Sequence, residues 1–160
     1  MTMRCGILTV SDKGSRGERA DTSGDAVAAL LAEHGGLVVR REIVADERAE
    51  IAAKLREWAD SGEVDLIVTT GGTGLAARDV TPEATSDVAE RVVPGVAEAM
   101  RAEGLRHTPR AMLSRAVAVV RANALIVNLP GSEKGARESL GAVIDVLPHA
   151  VALLRGHTEH

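Results

Sequence analysis

The chain has 160 residues, of which 45% are hydrophobic and 26% are charged, and its formal net charge at pH 7 is −4. This composition is typical of one soluble globular domain, and the lack of a basic run argues against binding to duplex nucleic acid. The chain has one Trp, no Phe and no Tyr. It therefore lacks the aromatic rings on which proteins stack the bases of single strands, and no nucleic-acid partner is expected.

Cysteine content and hydropathy restrict the class of protein further. Cys5 is the only cysteine, which excludes a disulfide framework and a thiolate metal cluster, and its apolar surroundings predict a buried structural thiol. The N-terminus passes directly into a strand pattern, and no apolar stretch reaches the length of a membrane span. We therefore expect a cytoplasmic protein with no membrane partner.

The first half of the chain alternates strands with helices. Strands are predicted at 4–10, 37–44 and 65–70, and polar loop 11–17 follows the first of them. One helix is predicted to begin at Asp21 and to end before Gly35-Gly36. A second should follow Asp46-Glu47.

In the second half, Thr81 is predicted as the N-cap of a helix that runs to about Arg91, with Pro82 at its first position. Another helix should begin at Pro94, and 116–121 with 124–129 should form an antiparallel hairpin. The last helix is predicted from Lys134 to Leu154, kinked or split at Pro148, with 155–160 as a frayed tail.

This order of elements predicts an α/β fold: a three-layer sandwich with a mainly parallel central sheet and an antiparallel hairpin near one edge. We expect residues 1–160 to form a single domain. Since ligands in such folds bind at the carboxyl ends of the strands, the loops after the first, third and last strands should converge into one site.

The loop after the third strand reads Gly71-Gly72-Thr73-Gly74. Glycines allow close approach of a ligand to the backbone, and their N–H groups together with the helix start at Thr81 could cradle a phosphate. The alternative is a tight turn that binds nothing. The motif matches neither the dinucleotide fingerprint nor the P-loop, so alone it indicates only an anion site.

Two acids follow strands in this scheme. Asp79 lies just ahead of the predicted helix at Thr81, and Asp46 follows the second strand. A carboxylate beside a phosphate would repel it unless a divalent cation lay between them, and Mg²⁺ typically takes one or two carboxylates plus substrate phosphates. Phosphoryl or nucleotidyl transfer is the chemistry expected of such a pair. The alternative for Asp46 is a helix N-cap.

In these loops and acids, the chain resembles the molybdopterin adenylyltransferase family of molybdenum cofactor biosynthesis. The stretch Val64–Thr85 carries the most specific match, and four shorter ones occur in the order found in that family: 8–12, 44–47, 113–115 and 128–131. The resemblance implies Mg²⁺-dependent transfer of AMP from ATP to the terminal phosphate of molybdopterin, with release of pyrophosphate. It also implies a homotrimer and suggests contacts with other enzymes of cofactor biosynthesis.

The resemblance further implies residue roles. Asp46 and Asp79 match the catalytic, metal-positioning acids. The implied nucleotide-binding residues are Gly71, Gly72, Thr73, Gly74, Asn128, Pro130 and Gly131. The implied pterin-binding residues are Ser11, Asp12 and Ser114. The chain departs from the family pattern at Lys13, where arginine is frequent, and at Glu133, where proline is common.

Three alternatives remain open at the level of sequence. A molybdate-insertion enzyme shares the fold but normally carries large additional domains, for which 160 residues leave no room. A pterin-binding carrier without catalysis is disfavoured by the presence of both Asp46 and Asp79. A generic nucleotide-binding module would explain the glycine loop but none of the other matches.

Overall fold

The computed structural model describes residues 2–158. Its strands are β1 (Met3–Val10), β2 (Gly36–Val44), β3 (Leu66–Thr70), β4 (Arg91–Val92), β5 (Ala118–Arg121) and β6 (Ala124–Leu129). Its helices are α1 (Asp12–Ser15), α2 (Thr22–Glu33), α3 (Arg48–Asp60), α4 (Thr81–Val88), α5 (Pro94–Leu105), α6 (Glu133–Val143) and α7 (Leu147–Leu154), with a 3₁₀ turn at Pro109–Leu113.

The six strands form one sheet in the order β2-β1-β3-β6-β5-β4. β1 pairs in parallel with β2 and β3, and β3 pairs in parallel with β6, with Val68 opposite Val127. The hairpin β5–β6 is antiparallel, and β4 adds an antiparallel edge strand beside β5. The predicted fold class is confirmed, including the antiparallel hairpin towards one edge.

Helices cover both faces of the sheet, and successive strand residues point alternately into two aliphatic cores. Ile7 and Leu66 belong to the core under α2, α5, α6 and α7, whereas Leu8 and Ile67 belong to the core under α3 and α4. Trp58, the only tryptophan, is buried in the second core. The buried Cys5 thiol has its pKa raised by burial to about 12, as expected of an unreactive cysteine.

One predicted boundary is wrong, and the structure adds a short helix that was not predicted. α4 ends at Val88 rather than near Arg91, because Arg91–Val92 extends along β5 as a short strand. The polar loop after β1 contains the one-turn helix α1, capped by Ser11. The last helix is split, as one of the two alternatives for Pro148 predicted, since Pro148 lies in the first turn of α7.

The C-terminal end of the described chain is tied to the sheet. Nε of Arg155 donates to Oδ1 of Asp65 at 2.9 Å, and Nε of Arg4 donates to Oδ2 of the same carboxylate at 3.0 Å. The predicted frayed tail, 155–160, therefore does not begin at Arg155; Glu159 and His160 lie outside the described residues. Burial raises the pKa of Asp65, but the hydrogen bonds from both arginines outweigh it and lower the pKa from 3.8 to about 2.

Candidate functional site

Two cavities open side by side at the carboxyl ends of β1, β3 and β6. We call the first, of about 450 Å³, the acidic cavity; it is lined by Ser11, Asp46, Gly71, Gly72, Asp79 and Gly131, among others. We call the second, of about 270 Å³, the arginine cavity; its lining includes Thr73, Gly74, Arg101, Arg110, Ser114 and Pro130. Ser132 borders both cavities. The loops after the first, third and last parallel strands therefore converge as predicted.

The glycine loop 71–74 runs along the boundary between the two cavities, and its backbone requires glycine. Gly71 and Gly72 have φ of 98° and 72°, the left-handed region that side chains rarely adopt. A Cβ on Gly71 would overlap the carbonyl oxygen of Val10, and one on Gly131 would lie 3.2 Å from the Cα of Gly71. The backbones of the β3 and β6 loops therefore approach each other closely at Gly71 and Gly131.

Thr81 holds this loop to the start of α4, but not as the predicted N-cap. The N-cap is Val80, which makes no side-chain cap bond, and Pro82 is the second helical residue. Instead, Oγ1 of Thr81 donates to the carbonyl of Gly71 at 2.9 Å, and its backbone N–H donates to the carbonyl of Gly72 at 3.1 Å. The hydroxyl predicted to cap a helix fixes the glycine loop instead.

Asp46 faces the glycine loop from the end of β2. Its Oδ2 accepts from the backbone N–H of Asp12 at 2.9 Å, and its own N–H donates to Oδ1 of Asp12 at 2.9 Å. A Cβ on Gly72 would lie 3.3 Å from Oδ1 of Asp46, so this second oxygen points to the loop. The N-cap alternative for Asp46 is wrong, because the N-cap of α3 is Glu47.

Burial raises the pKa of Asp46 above 3.8, against the stabilising hydrogen bond from the Asp12 amide. The negative charges of Asp12 and Asp79 raise the pKa of Asp46 further. A carboxylate whose ionisation is disfavoured by burial and by neighbouring acids is stabilised by a cation beside it, and such groups are typical of functional sites. The two predicted catalytic acids therefore line the same cavity, and the charge of Asp79 acts on Asp46.

Asp79 approaches the glycine loop from its other end. Its Oδ2 accepts from the N–H of Ala76 at 3.0 Å, and its own N–H donates to the carbonyl of Ala76 at 2.9 Å. A Cβ on Gly74 would lie 2.9 Å from the same Oδ2, so a side chain at this position would displace the Asp79 carboxylate. Both acids are thus in close contact with glycines of one loop.

The carboxylate of Asp12, which the resemblance assigns to the pterin, makes hydrogen bonds within the protein. Nε of Arg78 donates to its Oδ2 at 2.6 Å, and a second nitrogen of Arg78 donates to its Oδ1 at 3.0 Å. These hydrogen bonds and that from the Asp46 amide lower the pKa of Asp12 from 3.8 to about 2. The side chain therefore links Arg78 to Asp46, and this geometry favours positioning of Asp46 over ligand contact.

The side chain of Asn128 is likewise occupied within the protein. Its amide nitrogen donates to the hydroxyls of Thr69 at 3.1 Å and Thr85 at 3.0 Å, and its oxygen accepts from the N–H of Val117 at 3.2 Å. Asn128 is 0% exposed. These contacts favour a structural role, joining β3, α4 and the start of β5, over the predicted nucleotide contact by this side chain.

The three predicted pterin-binding residues do not lie together. Ser11 lines the acidic cavity, where its hydroxyl also accepts from the N–H of Gly14 at 2.9 Å as the cap of α1. Ser114 lines the arginine cavity, beyond the glycine loop. A ligand that contacts both serines would have to extend across the loop from one cavity to the other.

Sequence reasoning assigned no role to Arg115, although it lies in the matched segment 113–115. Its guanidinium donates to the carbonyl of Gly74 at 2.8 Å, to the carbonyl of Asp79 at 2.6 Å and to Glu83 at 2.6 Å. Its backbone N–H donates to the carbonyl of Thr73 at 2.9 Å. The signal was the arginine after Ser114, but nothing in sequence links it to a loop about 40 residues away.

The donor set in the acidic cavity fits a hard divalent cation. Within residues 2–158, Oδ1 of Asp46 and Oδ1 of Asp79 accept no hydrogen bond from the protein, so each acid has an oxygen left for a ligand. Over the same residues, no cluster of three or more His, Cys, Asp or Glu side chains is arranged to hold a metal. Two carboxylates are what Mg²⁺ takes when phosphates supply other ligands.

A family model described as a probable molybdopterin binding domain matches residues 6–149 of this chain. The chain belongs to this family. Among its solved relatives, the molybdopterin biosynthesis enzyme MoaB from Thermus thermophilus is 59% identical, with a TM-score of 0.91 over 96% of this chain and 97% of that one. The predicted resemblance is therefore confirmed at the level of the family.

Two bacterial members of this family carry the name molybdopterin adenylyltransferase. The one from Helicobacter pylori strain J99 is 45% identical over 158 residues, covering 98% of this chain and 90% of its own length. The one from Escherichia coli K12 is 39% identical, covering 97% of this chain and 87% of its own length. Returning to the present chain, none of the helices within residues 2–158 is long and apolar enough to cross a membrane.

Proposed function

We propose that this protein is a molybdopterin adenylyltransferase. In this reaction an oxygen of the terminal phosphate of molybdopterin attacks the α-phosphorus of ATP and forms a new phosphorus–oxygen bond. The bond from that phosphorus to the oxygen bridging to the β-phosphate breaks, and pyrophosphate leaves. The products are adenylylated molybdopterin and pyrophosphate, and no covalent intermediate on the protein is required.

One observation carries this proposal: Asp46 and Asp79 both reach the glycine loop within a single cavity at the carboxyl ends of the strands. Strand-end glycine loops bind phosphates through backbone N–H groups, and paired carboxylates meet phosphates through a divalent cation. The names of two relatives that match this chain over nearly its full length support the same chemistry.

The protein's own groups would bind and orient the two substrates. We assign nucleotide contacts to the glycine loop, whose backbone N–H groups would bind phosphate, together with Pro130 and Gly131. We assign pterin contacts to Ser11 and Ser114, which line the two cavities. Asp46 and Asp79 would hold Mg²⁺, which when bound neutralises phosphate charge and aligns the reacting oxygens. Orientation and charge neutralisation of this kind account for catalysis without an activated nucleophile.

A homotrimer located in the cytoplasm belongs to the same proposal and rests on the family resemblance. Sedimentation of the purified protein would test the assembly, with three copies per particle expected and a monomer contradicting it.

The direct test is incubation of the protein with molybdopterin, ATP and Mg²⁺, followed by detection of adenylylated molybdopterin. Asp46→Asn and Asp79→Asn should each lower the turnover by about 100-fold or more, the loss expected when reacting groups are misplaced by about 1 Å. Asp60→Asn is the control, because it makes the same change of side chain in an acid that lies at the end of α3 and lines neither cavity.

The outcomes separate the alternatives. Formation of product that depends on Mg²⁺ and on both acids supports the adenylyltransferase. Binding of molybdopterin with no product under any divalent cation would instead favour the pterin-binding carrier. Undiminished turnover in Asp79→Asn would refute the role assigned to that acid.

A further inference from the structure

Arg115 contacts both ends of the segment that carries Asp79. Its Nε donates to the carbonyl of Gly74 at 2.8 Å, and a terminal nitrogen donates to the carbonyl of Asp79 at 2.6 Å. Its backbone N–H adds a third bond, to the carbonyl of Thr73. The guanidinium of Arg115 thus bridges the two ends of the segment 74–79. Within the segment, the amides of Ala76 and Asp79 make short-range hydrogen bonds to each other's residue.

Glu83 fixes the orientation of this guanidinium. It lies in the first turn of α4 and accepts from the other terminal nitrogen of Arg115 at 2.6 Å, and the side chains of both residues are about one-third exposed. The hydrogen bond from Arg115 lowers the pKa of Glu83, so this carboxylate is charged at neutral pH. All three nitrogens of the guanidinium therefore donate hydrogen bonds at the same time.

An arginine is suited to this position in a way that a lysine is not. Its donors diverge in a fixed plane, so that one side chain can bind two carbonyls and a carboxylate simultaneously, whereas a lysine ammonium is a compact charge on a flexible stem. The segment between Gly74 and Asp79 is otherwise exposed over 75–78 and contains no helix or strand. The position of Asp79 is therefore expected to depend on this clamp.

On these grounds, and resting on the proposed function, we propose that Arg115 is a positioning residue for Asp79. Arg115 bonds the backbone carbonyl of Asp79 and not its carboxylate. It acts by holding the segment 74–79 so that the Asp79 carboxylate faces the acidic cavity beside Asp46. Groups that orient a functional side chain through its backbone affect turnover strongly, because small displacements of reacting groups have large effects on rate.

The first test measures the clamp without turnover. In the protein free of substrates, hydrogen exchange at the amides of Ala76 and Asp79 should become about 10-fold faster in Arg115→Gln, since both amides belong to the clamped segment. Arg115→Lys should give an intermediate rate and serves in place of Arg115→Gln if the latter does not fold. Unchanged exchange in both variants would overturn the proposal.

The second test asks whether Arg115 acts through Asp79. Arg115→Gln should lower kcat by about 10-fold to 100-fold while changing the KM for molybdopterin by less than about threefold. In the Asp79→Asn background the same change should have almost no further effect, because the group that Arg115 positions is already absent. If the kcat losses of the two single variants instead multiply in the double variant, the proposal is overturned.

Arg121→Gln is the matched control. Arg121 also bridges a backbone carbonyl, that of Val88, and a carboxylate, that of Asp60, but it does so at the far end of β5. It should leave exchange in the segment 74–79 and kcat unchanged. A wild-type protein that forms no adenylylated product would refute the proposed function, whereas an active wild type whose Arg115→Gln variant keeps full kcat would refute this inference alone.

Discussion

At the scale of single residues, the two candidate catalytic acids are held by arginines that come from elsewhere in the chain. Arg78 binds the carboxylate of Asp12, which in turn exchanges hydrogen bonds with Asp46. Arg115 binds the backbone on both sides of the segment that carries Asp79. The acids of the acidic cavity are therefore connected by hydrogen bonds to two arginines that are not part of its lining.

Asp12→Ala distinguishes positioning from pterin contact. The variant removes both the acceptor for the Asp46 amide and the carboxylate paired with Arg78. If Asp12 positions Asp46, kcat should fall by about 10-fold or more with little change in the KM for molybdopterin. A raised KM for molybdopterin at constant kcat would instead support the pterin contact that the resemblance implies for Asp12. Steady-state kinetics with each substrate varied in turn would measure the difference.

Asp65 predicts a stability effect far from both cavities. Its side chain is 3% exposed and is bound by Arg4 and Arg155. Asp65→Asn leaves two guanidinium groups without their carboxylate, which should lower the free energy of unfolding by about 3 kcal/mol. Denaturant unfolding at neutral pH would measure the loss, and Asp60→Asn, an exposed paired acid, should show a much smaller one.

The same acid predicts a pH dependence. The pKa of Asp65 in the folded protein is about 2, below its ordinary value of 3.8. Its contribution to stability is therefore complete above about pH 4 and is lost as the pH falls through the folded-state pKa. The difference in unfolding free energy between wild type and Asp65→Asn should shrink over that interval. A difference that grows on acidification would contradict the assignment.

At the scale of elements, the glycine loop depends on its backbone. Gly71→Ala places a Cβ in the left-handed region and against the carbonyl of Val10, so we expect a loss of stability of about 1–3 kcal/mol and loss of transfer activity. Gly141→Ala, in α6 with open space around it, should instead stabilise the protein slightly. Thermal unfolding of both variants would test this, and a harmless Gly71→Ala would contradict it.

The alternation of strands and helices was predictable from sequence because each element carries its own periodicity and its own end signals. β1, β3 and β6 are mainly apolar runs ending in polar or glycine loops, and Asp21, where a helix was predicted to begin, is the N-cap of α2. β4 was not predictable, because two residues carry no periodicity and Arg91–Val92 is extended only through pairing with β5. The role of Thr81 was missed since its partner, the Gly71 carbonyl, is ten residues away.

The candidate site was predictable in its acids and glycines but not in its connections. Asp46, Asp79 and the glycine loop each follow a strand, so the topology alone brings them to one edge. The pairing of Asp12 with Arg78 and the enclosure of Asn128 depend on contacts between segments distant in sequence. Both side chains make hydrogen bonds within the protein, and the ligand contacts implied for them by the resemblance stay predictions.

At the scale of the whole molecule, a mainly parallel sheet places its loops at one edge, and the glycine loop divides that edge into two cavities. Under the proposed function, molybdopterin would extend across the loop to reach both Ser11 and Ser114, and the two cavities together would hold both substrates. The aliphatic cores on both faces hold the strands, and hence the loops, in register.

The transfer of AMP at this site is tested most directly by following labelled phosphate from ATP. With molybdopterin and Mg²⁺ present, label from the α-phosphate should appear in adenylylated molybdopterin, with one pyrophosphate released per product and both signals lost in Asp79→Asn. Label entering from the γ-phosphate, or pyrophosphate released without a labelled product, would contradict adenylyl transfer at this site.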